Sequence, residues 1–110
     1  LNMNDSILTS VKIQLGIPED HEEFDSQIIK HINSLFLTLY QLGVGPSKGY
    51  RITNKENKWS EFSDNEMLND AIDEYMFLKV KTVFDPSTSS AVADSTKDRI
   101  QELEFRIMSL

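Results

Sequence analysis

Two histidines, a set of carboxylates and one closely spaced glycine pair are the residues of this chain whose types suit chemistry. His21 precedes Glu22 and Glu23, but a zinc-binding helix needs a second histidine four residues on, and none is there. With no cysteine, thiolate ligation of zinc is closed as well. Glu66, Asp70, Asp73 and Glu74 lie close enough in sequence to imitate a carboxylate metal cluster. Helical two-metal sites also use Glu-x-x-His pairs from facing helices, and the chain has none. Gly43 and Gly45 follow no strand and precede no Lys-Ser/Thr, so they read as a turn rather than a phosphate cradle. Chain order supports no Ser–His–Asp set. The expectation is a non-enzyme with no catalytic, cofactor-binding or metal-ligating residues. His21 is then solvated, His31 flanks a helix and the carboxylates form a solvated face.

The elements that carry these residues are helical. The 110 residues fit a single domain, 1–110, with one modest core. Leu1–Asn4 has neither the basic nor the apolar stretch of a secretory leader. Position 1 is not Met, so residues 1–4 read as a trimmed or added end, expected to be disordered. No apolar run is long enough to span a membrane. The absence of cysteine suits a reducing compartment. A net charge of −7 argues against a protein that coats nucleic acid, which needs clustered Lys and Arg.

Four helical patterns follow in order. Asn4-Asp5-Ser6 caps a first helix carrying Ile7, Leu8, Val11 and Leu15, stopped by Gly16 and Pro18. Asp25 caps a second, with Phe24 spaced to staple onto Ile29. Ile28, Ile32, Leu35, Leu39 and Leu42 form its stripe, widened by Ile29, Phe36 and Tyr40, and it reads as the central helix. Residues 47–62 follow no helical period and read as a short hairpin or an ordered loop. Ser63-Asp64-Asn65-Glu66 is a capping-box pattern opening a third helix, with Leu68, Ile72, Tyr75, Met76, Lys79 and Val83 on one face. Asp85-Pro86 breaks it. Ser89 or Ser90 caps a last helix from about Ala91 to Met108, with Val92, Ile100, Leu103, Ile107 and Leu110 on one face. The fold class is therefore all-α, a compact bundle of about four helices.

Several bulky residues break this pattern. Phe77 and Phe84 continue the polar face that Glu66, Asp70 and Asp73 mark on the third helix. Phe105 projects among Asp94, Asp98, Gln101 and Glu102 on the last, and Leu37 lies opposite the stripe of the second. Trp59 and Phe62 sit in the irregular insert. Either the insert and the chain ends cover them, or another polypeptide does, since aromatics left wet on a surface favour interfaces. For Trp59, packing onto the helices is the favoured role. The Asp85–Val92 loop is either a plain connector or a contact for a partner.

A series of segments resembles the small head–tail connector, or adaptor, proteins of tailed bacteriophages. It comprises Val11–Pro18, Phe24-Asp25 through Ser34, Gln41–Pro46, Trp59–Phe62, Tyr75–Lys81, Phe84-Asp85-Pro86 with Ser89–Val92, and Glu102–Arg106. The series covers nearly the whole chain in order. Ser87 stands where a second proline is expected, and Phe105 where a tryptophan is expected. The resemblance implies a structural virion protein without enzymatic activity. Such proteins form a ring, dodecameric in the virion, docked beneath the portal. The ring extends the DNA channel and presents a surface to the next neck or tail-completion protein. DNA passes through the lumen unread, and an acidic subunit suits that passage because like charge repels. The implied location is the head–tail junction, with assembly in the host cytoplasm, for a virion or a prophage product. On this reading Phe77 and Phe84 belong to one patch, and Asp85 and Pro86, in the Asp85–Val92 loop, are a second candidate for partner contact. Trp59, Phe62 or Phe105 belongs to the mating patch or the portal contact. The alternative is a small acidic helical module that binds and regulates another protein, also of phage or prophage origin.

Overall fold

Ile7, Leu8 and Val11 recur at helical spacing behind a good cap. In the computed structural model, which describes residues 1–110, they form α1, Ile7–Gln14. The Ser6 hydroxyl accepts the Thr9 N–H at 3.2 Å, and the chain turns off at Gly16 before Pro18. The second element is α2, Asp25–Gln41. Asp25 is its first helical residue and makes no capping bond; Phe24 occupies the cap position. Asp25 is instead drawn to the buried Lys12 ammonium at 2.8 Å, and the Phe24 ring stands edge-on to Phe84 at 6.3 Å. The buried stripe of α2 is Ile28, Ile32, Phe36 and Leu39. Leu42, expected on this stripe, follows the last residue of α2 and is exposed, while Phe36 from the widened edge of the stripe is buried.

The insert contains no strand, so of the two forms expected the ordered loop is the one found. It ends in a single turn, α3, Trp59–Phe62. The loop is tied down without a ladder. The Asn33 side chain pairs both ways with Ile52, donating to its carbonyl at 2.9 Å and accepting its N–H at 2.8 Å. The rings of Phe36, Tyr50 and Phe62 meet with centroids 5.0–5.8 Å apart. At the near end, the Ile7 N–H donates to the Asn57 carbonyl and the Ser60 N–H to the Met3 carbonyl.

α4, Glu66–Phe84, is capped by Asn65, whose side chain accepts the Leu68 N–H at 3.1 Å. The expected capping box with Ser63 is not formed, because Ser63 closes α3 and its hydroxyl accepts from the Asn65 N–H. The inward residues of α4 are Leu68, Asn69, Ile72, Tyr75, Met76 and Val80, so Val80 takes the place expected of Val83, which is exposed. α4 packs on α1, α2 and α5, and is therefore the central helix in place of α2. α5, Ser90–Ser109, is capped by Ser89 and lies mainly along α4. Its buried residues are Ile100, Leu103 and Ile107, all in its second half. A chain of ion pairs runs from α4 into α5. Arg99 grips Glu74 bidentately at 2.7 and 2.8 Å and reaches Glu102 at 3.2 Å, and Glu102 holds Arg106 at 2.7 Å.

The fold is all-helical, with five helices around one core that includes Trp59 and Phe62. No helix is long and apolar enough to cross a membrane.

Candidate functional site

The surface that needs explaining is built by α4 and α5. Along α5, Asp94, Asp98, Gln101, Phe105 and Met108 fall at helical spacing on one narrow stripe. It lies diametrically opposite the Ile100–Leu103–Ile107 stripe that faces α4. All five are exposed, Phe105 by 74% and Met108 by 60% of their surfaces. Exposing a phenylalanine to that degree leaves most of its transfer free energy, about 1.5–3 kcal/mol, unrealised in the isolated chain. The helix itself is held rigidly. The Tyr75 hydroxyl donates to Glu104 at 3.2 Å, and burial pushes that phenol up to about 12. Hydrogen bonding from Arg99 holds Glu74 below the usual carboxylate range, and Arg106 does the same for Glu102.

The other expected contact residues are scattered. Phe77 is half-buried and is not packed on the main core. Phe84 is also half-buried, but it packs on the core, and its ring meets Phe24 and His31 of the same chain at 6.3 and 5.6 Å. Asp85 and Pro86 are exposed at the end of α4, where Asp85 pairs with Lys81 at 3.2 Å. Trp59 is fully buried and Phe62 nearly so, sealed within their own chain. Neither presents a face to a second chain in this conformation. Packing of Trp59 onto the helices is what the structure places there. Its indole N–H points to the Ser10 hydroxyl at 3.4 Å.

The carboxylates do not converge into a cluster able to hold a metal ion. Glu74 is spent on Arg99, while Asp73 accepts from the Gln14 amide at 3.1 Å and rises to about 6 because it is buried. His31 sits beside Phe84 at the flank of α2.

Three features were not singled out from residue order. Met108 extends the Phe105 patch, and the spacing of three residues on a helix was the available signal. Lys12 is buried, which its type does not announce. Lys48 and Arg51 are exposed and have no ion-pair partner in the chain. Their signal was local: the insert carries Lys48, Arg51, Lys55 and Lys58 against two acids, Glu56 and Glu61, in an otherwise acidic chain.

Compared with known proteins, residues 7–109 match the family model described as phage connector protein. The match begins at the first residue of α1 and ends at the last of α5. No curated protein and no solved structure matches the chain significantly.

Proposed function

The chain belongs to the phage connector protein family, and on that footing we propose that it is a ring-forming adaptor, dodecameric in the virion, docked beneath the portal. Membership makes it a structural part of the phage head–tail connection, a virion component that works by contact with other virion proteins. The finer reading adds that the ring lengthens the DNA channel and offers its far side to the next neck or tail-completion protein.

The observation that carries this reading is the stranded apolar end of the outer α5 stripe, Phe105 with Met108. A rigid helix, capped at Ser89 and ion-paired to α4, holds these side chains out at a fixed angle. That suits a subunit interface better than a solvent-facing surface. A cyclic ring mates two different patches, and the α5 stripe is one of them. Phe77, the outer edge of Phe84 and the Asp85-Pro86 turn lie along the second half of α4 and supply contacts to the portal or the next protein. The acidic balance, −7 for each chain, suits a channel that must let DNA slide through.

Electron microscopy of the protein mixed with its own portal tests the proposal. An annular density stacked on the portal is the expected result. Portal particles with bare ends at saturating protein, together with a monomer or dimer by light scattering at every concentration, overturn it in favour of a helical regulatory module.

A further inference from the structure

On the side of the molecule formed by α2, a groove of about 600 Å³ opens between that helix and residues 48–51. Its floor is Phe36, and its rim carries Leu37, Tyr40 and Tyr50. Leu37 is 55% and Tyr40 45% exposed, so the groove is apolar and open. Lys48 and Arg51 stand in its wall, both without an anionic partner. The loop that forms this wall is fixed from beneath by Asn33 and by the Phe36–Tyr50–Phe62 cluster, so the groove exists before anything enters it.

The outer stripe of α5 has the opposite character. Phe105 and Met108 supply an apolar end, and Asp94 and Asp98 supply two carboxylates with no cation paired to them. α2 and α5 pack on α4 rather than chiefly on each other, and each turns its unpartnered face away from it. The two surfaces therefore belong to different sides of one molecule and cannot satisfy each other within it. Self-association through them is head-to-tail, the arrangement that closes into rings.

We propose that the Asp94–Asp98–Phe105–Met108 face of α5 seats in the Leu37–Tyr40–Lys48–Arg51 groove of a neighbouring copy of this chain. The aromatic and methionine side chains enter the apolar groove, and the aspartates meet the two free cations of its wall. The apolar contact supplies affinity, while the charges fix which end of the helix lies where. This rests on the ring reading above and names the surfaces that close it.

The absence of native cysteine makes the test direct. Leu37→Cys and Phe105→Cys are introduced together and separately at these exposed positions, portal is added, and the samples are treated with a short bismaleimide. Wild-type rings counted by electron microscopy report on the ring reading by themselves. With rings present, the double variant is expected to give a covalent ladder from dimer upward, and an equal mixture of the two single variants is expected to stop at dimers. Rings without a ladder overturn the seating and leave the ring standing. So do dimers from the Phe105→Cys chain alone, or crosslinks from it to the portal only. Absence of both rings and ladder overturns the two readings together. In a second arm, Lys48→Glu with Arg51→Glu lowers the assembled fraction by about ten-fold, and adding Asp94→Lys with Asp98→Lys to the same chain restores most of it. Equal assembly by all these charge variants overturns the proposed pairing.

Discussion

The Lys12 ammonium is buried with its donors engaged: the Glu19 carbonyl at 3.0 Å, the His21 carbonyl at 2.7 Å and the Asp25 carboxylate at 2.8 Å. It joins α1 to the start of α2 and shapes the acidic connector between them. Lys12→Met keeps much of the volume but leaves a carboxylate and two carbonyls unpaired. The expected cost is about 3 kcal/mol, read as a lower urea midpoint with an unchanged slope. Adding Asp25→Asn recovers only part of it, because the carbonyls stay unsatisfied. Asp73 works in the other direction. Burial raises its carboxyl from 3.8 to about 6, and one of its oxygens is buried without a partner. Between those two values the folded state holds more protons than the unfolded one, so folding stability falls as pH rises through this window and stays lower above it. Asp73→Asn is therefore expected to stabilise by about 1 kcal/mol at pH 8, a figure reduced for partial exposure, and by nothing below about pH 4. Thermal melts of both proteins at the two pH values check it; an equal shift at both breaks the assignment.

At the level of elements, the helices were legible because each has a start signal, a periodic apolar stripe and a stop. Ser6, Ser89 and Asp85-Pro86 act as their types predict. The misreadings arose where two local signals competed. Ser63 and Asn65 both suit a cap, and the preceding turn α3 claims Ser63. Removing Asn65 by Asn65→Ala is expected to cost about 1 kcal/mol in chemical denaturation, while Ser63→Ala costs less, since its hydroxyl only steadies Asn65. The insert was illegible for a different reason. Besides short turns of its own, such as Thr53 and Asn54 on the Asn57 side chain, the contacts that dock it come from other elements: Asn33 with Ile52, Phe36 with Tyr50, and Asn69 with the carbonyls of Trp59 and Ser63. No short-range period encodes them. Gly45 shows how tight this region is. It has φ +94°, and an added Cβ would lie 2.6 Å from the Phe62 ring. Gly45→Ala meets both backbone strain and overpacking, with an expected loss of about 2–4 kcal/mol in denaturant titration. A loss below about 1 kcal/mol means the loop does not sit on Phe62 as described.

For the whole molecule, composition and helical patterning gave the class, but which aromatics face outward depends on how the helices pack. Five aromatics looked alike as pattern-breakers, and the fold sorts them. Trp59 and Phe62 complete the core, Phe84 is shared between the core and its neighbours Phe24 and His31, Phe77 is half-covered, and Phe105 stands free. This ordering separates assembly from stability. Replacing Phe84 by a charged residue buries part of a charge beside two aromatic rings. The expected outcome is a loss of about 1–3 kcal/mol in folding stability. Phe105→Glu adds a charge where the side chain is already in water, beside Gln101 and Glu102. Its melting temperature is expected to stay within about 2 °C of the wild type. Assembly on the portal falls steeply all the same, because a carboxylate must be desolvated to enter an apolar contact. Melting curves and portal-bound fractions measured on both variants place each on a plane of stability against assembly. The adaptor reading requires Phe105→Glu to move along the assembly axis alone. If it lowers the melting temperature as much as the Phe84 change does, Phe105 is packed within its own chain, and the outer face of α5 is not the surface through which subunits meet.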